Sequence, residues 1–213
     1  LITDLWMRSG KFGRFHPDLS QAHVIAPNLA SFVFELKAGA SHLSGWELIK
    51  RRNEWFQQRT LDHLNNQSSN GPRTVFAYSY AAEQIFRFAR DRGWKTVLGQ
   101  IDPGPAEERI VSGLNEKFAA ERNGWEPAPT EYWDTWKTEC DLADRIIVNS
   151  NWSQNPLISE GVPAEKINVL PLAYERQEGS FQRHYPSAFT SARPLRVLFL
   201  GQVNLRKGVG QLF

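Results

Sequence analysis

The sequence predicts an α/β protein built on a doubly wound parallel sheet. Six short apolar runs rich in Val, Ile or Leu recur along the chain: 23–27 (HVIAP), 74–78 (TVFAY), 95–101 (KTVLGQI), 145–150 (RIIVNS), 167–172 (INVLPL) and 195–201 (LRVLFLG). Most of these runs are continuously apolar rather than alternating, the pattern of strands covered on both faces. Between them stand amphipathic stretches of helical length, so strand and helix alternate as βαβ units require.

The elements follow in order. Residues 46–67 carry apolar side chains near three- and four-residue spacing and run into SSNGP, a turn cluster. Residues 81–93 end in a basic last turn and Gly93, a glycine suited to the left-handed position after a helix. Residues 107–124 end the same way at Gly124. A helix over 129–143 opens with Thr130 as its expected cap. A helix over 150–163 opens with Ser150 or Ser153 and closes at Gly161, with Pro156 in its first two turns, where proline is tolerated. Residues 173–194 are polar and aperiodic, the composition of a linker. The expected organisation is therefore a domain over 1–175, a linker over 176–194, and the start of a second α/β unit over 195–213.

Composition excludes several classes. With 213 residues, 41% of them hydrophobic, the chain can bury a full core. Lys and Arg number 25 against 23 Asp and Glu, and the resulting +2 does not point to a nucleic-acid partner. No apolar run reaches the ~18 residues of a membrane-spanning helix. The single cysteine, Cys140, rules out an intrachain disulfide and favours a reducing, cytoplasmic compartment. His16, His23, His42, His63 and His184 show no metal-ligand spacing. Aromatic residues (8 Trp, 13 Phe, 5 Tyr) are interleaved with charge, which suits amphipathic helices packed on a sheet and also suits a sugar- or membrane-facing surface. The chain opens at Leu1 without a signal peptide and closes inside the second unit, so it reads as a fragment.

The last unit carries the chemistry. The run 195–201 delivers the chain to Gly201, followed by Gln202, Arg206, Lys207 and an expected helix start. Glycine at a strand end admits a ligand close to the backbone, and a helix N-terminus beside two cations suits a phosphate or diphosphate. Neither the GxxxxGK[ST] loop nor the GxGxxG fingerprint is present. Strand, glycine turn and basic residues also occur together for structural reasons alone.

Three segments give that loop a context: ADRIIVNS (143–150), GVPAEKI (161–167) and RKG (206–208). In order and spacing they resemble the GT-B glycosyltransferases of the family-four type. The resemblance spans about residues 74 to 213 and is weak over the first 70. It implies two Rossmann-like domains with the active site in the cleft between them. The reaction implied is retaining transfer of a sugar from a nucleotide-sugar donor to a glycan, lipid or small-molecule acceptor, with no cofactor and no catalytic metal. Lys207 would contact the donor diphosphate, with Gly201, Gln202 and Arg206 around it. Gln202 stands where the family places Arg, so Arg206 becomes the substitute cation, a structural or solvent-facing role being the alternative. Asp102 adjoins the family's His position and becomes the catalytic candidate, although Asp-Pro-Gly is also a strong turn sequence. Ser79 and Tyr80 fall on the acceptor side, and Ser79 reads equally as a helix cap. The family's acidic donor motif falls beyond residue 213, so the fragment is expected to be inactive by itself. Two other readings stay open: a sugar-nucleotide epimerase of the same architecture, and a non-catalytic two-lobed binding protein. Trp6, Arg8, Lys11, Arg14 and Phe15 suit peripheral membrane contact and equally a scattered surface.

Overall fold

The structure is a computed structural model describing residues 1–3, 19–66, 71, 73–121, 124–173 and 186–211. Strands β1 (Thr74–Tyr78), β2 (Lys95–Gly99), β3 (Arg145–Val148) and β4 (Ile167–Val169) form one all-parallel sheet in the order β1-β2-β3-β4. Among the described residues six α-helices accompany it: α1 (Asn28–Ala40), α2 (Gly45–Asn65), α3 (Glu83–Asp91), α4 (Pro105–Lys117), α5 (Thr130–Leu142) and α6 (Asn151–Ser159).

Register decides which side chains meet. Ala77, Leu98, Ile146 and Ile167 align across the four strands. With Val75, Val148 and Val169 they pack on Phe86 of α3, Trp136 and Cys140 of α5 and Leu157 of α6. The other face holds the row Tyr78, Gly99, Ile147 and Asn168, and there Phe76 is 50% and Tyr78 63% exposed. The expectation of strands covered on both faces is therefore met on one face only. Strand order explains it: each strand is laid beside the last without reversal among the described residues. Successive crossovers of one hand then stack their helices on one side.

Two expected strands do not form among the described residues. Residues 23–27 contribute a single bridge, Ile2 to Ile25. Residues 195–201 have no ladder partner among the described residues, and Leu198 and Leu200 are 83% and 90% exposed. Apolar β-branched composition gives a segment the capacity to pair but supplies no neighbour to pair with. The helix expected after Gly201 is present as two single 3₁₀ turns, Leu205–Lys207 and Val209–Gln211. In the other direction, α1 had no counterpart in the sequence reading, and its Leu29, Phe32 and Leu36 are exposed.

Helix ends follow local chemistry. The Ser150 hydroxyl accepts from the Ser153 N–H at 3.1 Å, as its sequence position predicts. Ser150→Ala is expected to lower stability by about 1 kcal/mol in urea denaturation, and an unchanged midpoint would remove the cap from the energetics. Gly93 (φ 67°) and Gly161 (φ 90°) close α3 and α6 in the left-handed conformation. Thr130, expected as a cap, is instead the first residue of α5, and its side chain does not cap it. The linker expected over 176–194 falls largely outside the described residues, and Trp6, Arg8, Lys11, Arg14, Phe15, His16 and His184 fall outside them entirely.

Candidate functional site

Parallel strands deliver successive chain segments to one edge, so residues just past β1 and β2 are brought together by topology alone. Ser79 extends the ladder, its N–H donating to the Gly99 carbonyl at 3.1 Å, and its hydroxyl accepts from the Ile101 N–H at 3.4 Å. It does not cap α3. Tyr80 then takes a left-handed backbone (φ 76°), which costs a non-glycine residue about 1 kcal/mol. That turn directs the phenol, whose hydroxyl donates to Asp102 Oδ1 at 2.5 Å.

Asp102 is the centre of the cluster. Its Oδ1 also accepts from Gln100 Nε2 at 3.2 Å and from the Gly104 N–H at 2.8 Å. The last bond is the side-chain turn expected of Asp-Pro-Gly. Trp136 Nε1 donates to Gln100 Oε1 at 3.0 Å, fixing the amide so that its nitrogen faces Asp102. Three donors thus converge on one oxygen of a half-buried carboxylate. The second oxygen, Oδ2, takes none of these bonds. The Tyr80 ring stacks on Tyr132 at 4.7 Å, and burial beside Asp102 pushes the Tyr80 phenol well above its ordinary range, so it stays a donor. Chemically, this is a rigidly held carboxylate able to orient a hydroxyl group.

Beneath the cluster lies Glu139 of α5, with no solvent exposure. Its Oε2 accepts from the Tyr80 N–H at 2.6 Å, and its Oε1 from the N–H groups of Ala82 at 2.7 Å and Glu83 at 3.2 Å. Gln57 of α2 accepts the next one, from Gln84, at 2.8 Å. The unpaired donors that begin α3 are therefore satisfied by side chains of two other helices. Sequence reasoning missed Glu139. The available signal was a carboxylate on the same helical stripe as Trp136, Cys140 and Ala143, because a charge on an apolar face is almost always bonded for a purpose.

The basic segment approaches the same region. Leu205 is buried, and it and Phe118, just past the end of α4, both lie against Gly210. Arg206 pairs with Glu107 in the first turn of α4, 99 residues away in sequence. That bond, with further help from the Glu107 and Asp102 charges, raises the Arg206 pKa and keeps the guanidinium charged. Lys207 is exposed, and its N–H donates to Asn204 Oδ1 at 3.0 Å, so this backbone donor is already occupied. Gln202 is exposed and accepts from Asn204 Nδ2 at 3.4 Å, and Gly201 is exposed beside it. The structure thus brings Tyr80, Gln100, Asp102 and the Arg206 turn to one region. Ser79 and Tyr80 are buried in its frame rather than open on its surface.

A cavity of about 780 Å³ lies elsewhere, between α1 and α2, lined by Leu29, Val33, Phe34, Trp55, Lys37 and Arg59 among others. The strand ends hold a convergent hydrogen-bonding cluster, and chemistry favours them. Among the described residues there is no group of three or more His, Cys, Asp or Glu side chains able to hold a metal ion, and no helix long and apolar enough to cross a membrane. Comparison with protein-family models, curated proteins and solved structures finds no match for the chain.

Proposed function

We propose that this chain is the acceptor-side portion of a cytoplasmic, retaining glycosyltransferase of the GT-B type, with residues 195–213 opening its donor-binding lobe. The fold is compatible with this reading: a parallel α/β sheet carrying polar side chains at its strand ends. The observation that carries the proposal is the Arg206–Glu107 pair, which ties the RKG turn to the first turn of α4 just past Asp102. In a sugar transfer those two regions have complementary tasks. Cations hold the departing nucleotide diphosphate, while a fixed carboxylate oxygen aligns the acceptor hydroxyl.

The roles are specific. Lys207 contacts the donor diphosphate. Arg206, shared with Glu107, sets the position of that turn. Gln202 contributes a neutral hydrogen bond where the resembling family has a cation. Asp102 receives the acceptor hydroxyl on Oδ2, held in place by Tyr80 and Gln100. An epimerase needs the diphosphate clamp but no acceptor, and the uncommitted oxygen of Asp102 favours transfer over epimerisation.

Calorimetric titration of the full-length protein, donor lobe included, with UDP and GDP tests the donor half. One of the two is expected to bind, and Lys207→Ala is expected to weaken it by about 2 kcal/mol, the worth of one charge-assisted contact. Unchanged affinity would take Lys207 out of the site. Failure of both nucleotides to bind a protein that carries the whole donor lobe would remove the donor role.

A further inference from the structure

We propose that Glu139 is the positioning residue of the strand-end site, a proton-sensitive latch that sets the Tyr80 turn and through it the Asp102 cluster. The proposal rests on the strand-end site described above, but its test needs no sugar nucleotide, so each can fail alone.

The geometry carries it. Both carboxylate oxygens are used, and every bond goes to a backbone N–H of one short segment: Tyr80, Ala82 and Glu83. Tyr80 is held in a left-handed conformation that a tyrosine avoids unless its surroundings impose it. The hydroxyl of that same residue reaches Asp102. One carboxylate therefore fixes the backbone whose side chain fixes the candidate acceptor residue.

A carboxylate can serve N–H donors on both oxygens, but a carboxylic acid cannot do so without conflict. A proton on Oε2 meets the Tyr80 N–H, and a proton on Oε1 meets two N–H groups. Burial pushes Glu139 up to about 7, while the bonds from Ala82, Tyr80 and Glu83 pull it down. The group therefore changes state near neutrality. Glu83 at the start of α3 is the charged neighbour it feels, raising it further, and Glu83 itself pairs with Arg87. Tyr132 and Cys140 of α5 also face it, and Tyr80 faces it from the turn. All three stay neutral, their pKa values pushed up by burial, that of Cys140 to about 12.

Two pH effects of opposite sign follow. The N–H bonds favour the charged form, so movement of the turn over a still-covered Glu139 becomes easier once the carboxyl is protonated. Global unfolding hydrates the carboxyl instead. Its folded pKa lies above the unfolded value, so its contribution to overall stability is fully present below about 4.5 and is lost as pH rises through about 7. Through Glu139 alone, acidification thus adds to global stability while loosening this one turn.

The test is a pH series of amide spectra on the ¹⁵N-labelled chain between about pH 5 and about pH 9. The Tyr80, Ala82 and Glu83 N–H signals are expected to shift upfield together on acidification, along one titration curve, while Leu98 and Ile146 in the core stay still. In Glu139→Gln the curve should vanish, with Tyr80 facing an amide donor at every pH. Glu83→Gln leaves the latch intact and should move the curve to lower pH, so the idea stays testable even if the Glu139 variant does not fold. Amide signals that stay flat in the unmodified chain, or a titration that survives in Glu139→Gln, would overturn the proposal.

Discussion

Gly104→Ala is expected to destabilise the chain by about 3 kcal/mol, combining a strained backbone with a direct collision. Gly104 precedes α4 with φ 64° and ψ −144°, a region open essentially to glycine alone. A Cβ built there would stand 3.0 Å from Cζ2 of Trp136, a buried side chain with no room to retreat. The consequence reaches beyond stability. Trp136 orients the Gln100 amide and the Gly104 N–H bonds Asp102, so one methyl group disturbs two of the three donors on Asp102 Oδ1. Urea denaturation gives the stability loss. Intrinsic tryptophan fluorescence should report the displaced Trp136 even under folding conditions. A midpoint equal to that of the unmodified chain would mean that the turn tolerates a side chain and that its tightness is not what sets Asp102.

Phe86→Ala is expected to cost about 4 kcal/mol. Phe86 has no solvent exposure and packs in the cluster formed by Leu98, Trp136, Ile146 and Leu157. Its ring fills space between α3, α5 and the sheet, so removal leaves a cavity that backbone on both sides prevents from closing. Its own N–H makes the first backbone bond of α3, to the Ala82 carbonyl at 2.8 Å, which the substitution leaves in place. A calorimetric melt showing a loss under about 1 kcal/mol would mean that the cavity collapses and that this layer is more compliant than its packing implies.

The sequence exposed the frame of the sheet well. The runs at 74–78, 95–101, 145–150 and 167–172 became β1 to β4 because each is short, apolar and bounded by turn residues. What it could not expose was the partnering of each face. Phe76 and Tyr78 look as buried as Val75 and Ala77 in the string of letters, yet β1 lies at the sheet edge with that face open. The run at 195–201 has the same composition as β3 without β3's neighbours, and composition alone cannot tell the two apart. Asp102 was legible because an Asp-Pro-Gly turn after a strand places it at the sheet's carboxyl edge. Its supports were less so: Tyr80 bonds it from 22 residues away, and Trp136 fixes the Gln100 amide from 36 residues away. Glu139 was hidden for the same reason, its partners lying 56 to 59 residues away.

The exposed run Leu195–Leu200 has a bearing on how the molecule behaves in concentrated solution. Leu-Arg-Val-Leu-Phe-Leu holds one charge and no proline, is exposed at every residue but Phe199, and has no ladder partner among the described residues. Such a stretch templates intermolecular cross-β stacking when nothing covers it. Arg196 within the run, and Arg193 and Pro194 directly before it, are then the gatekeepers that oppose self-association.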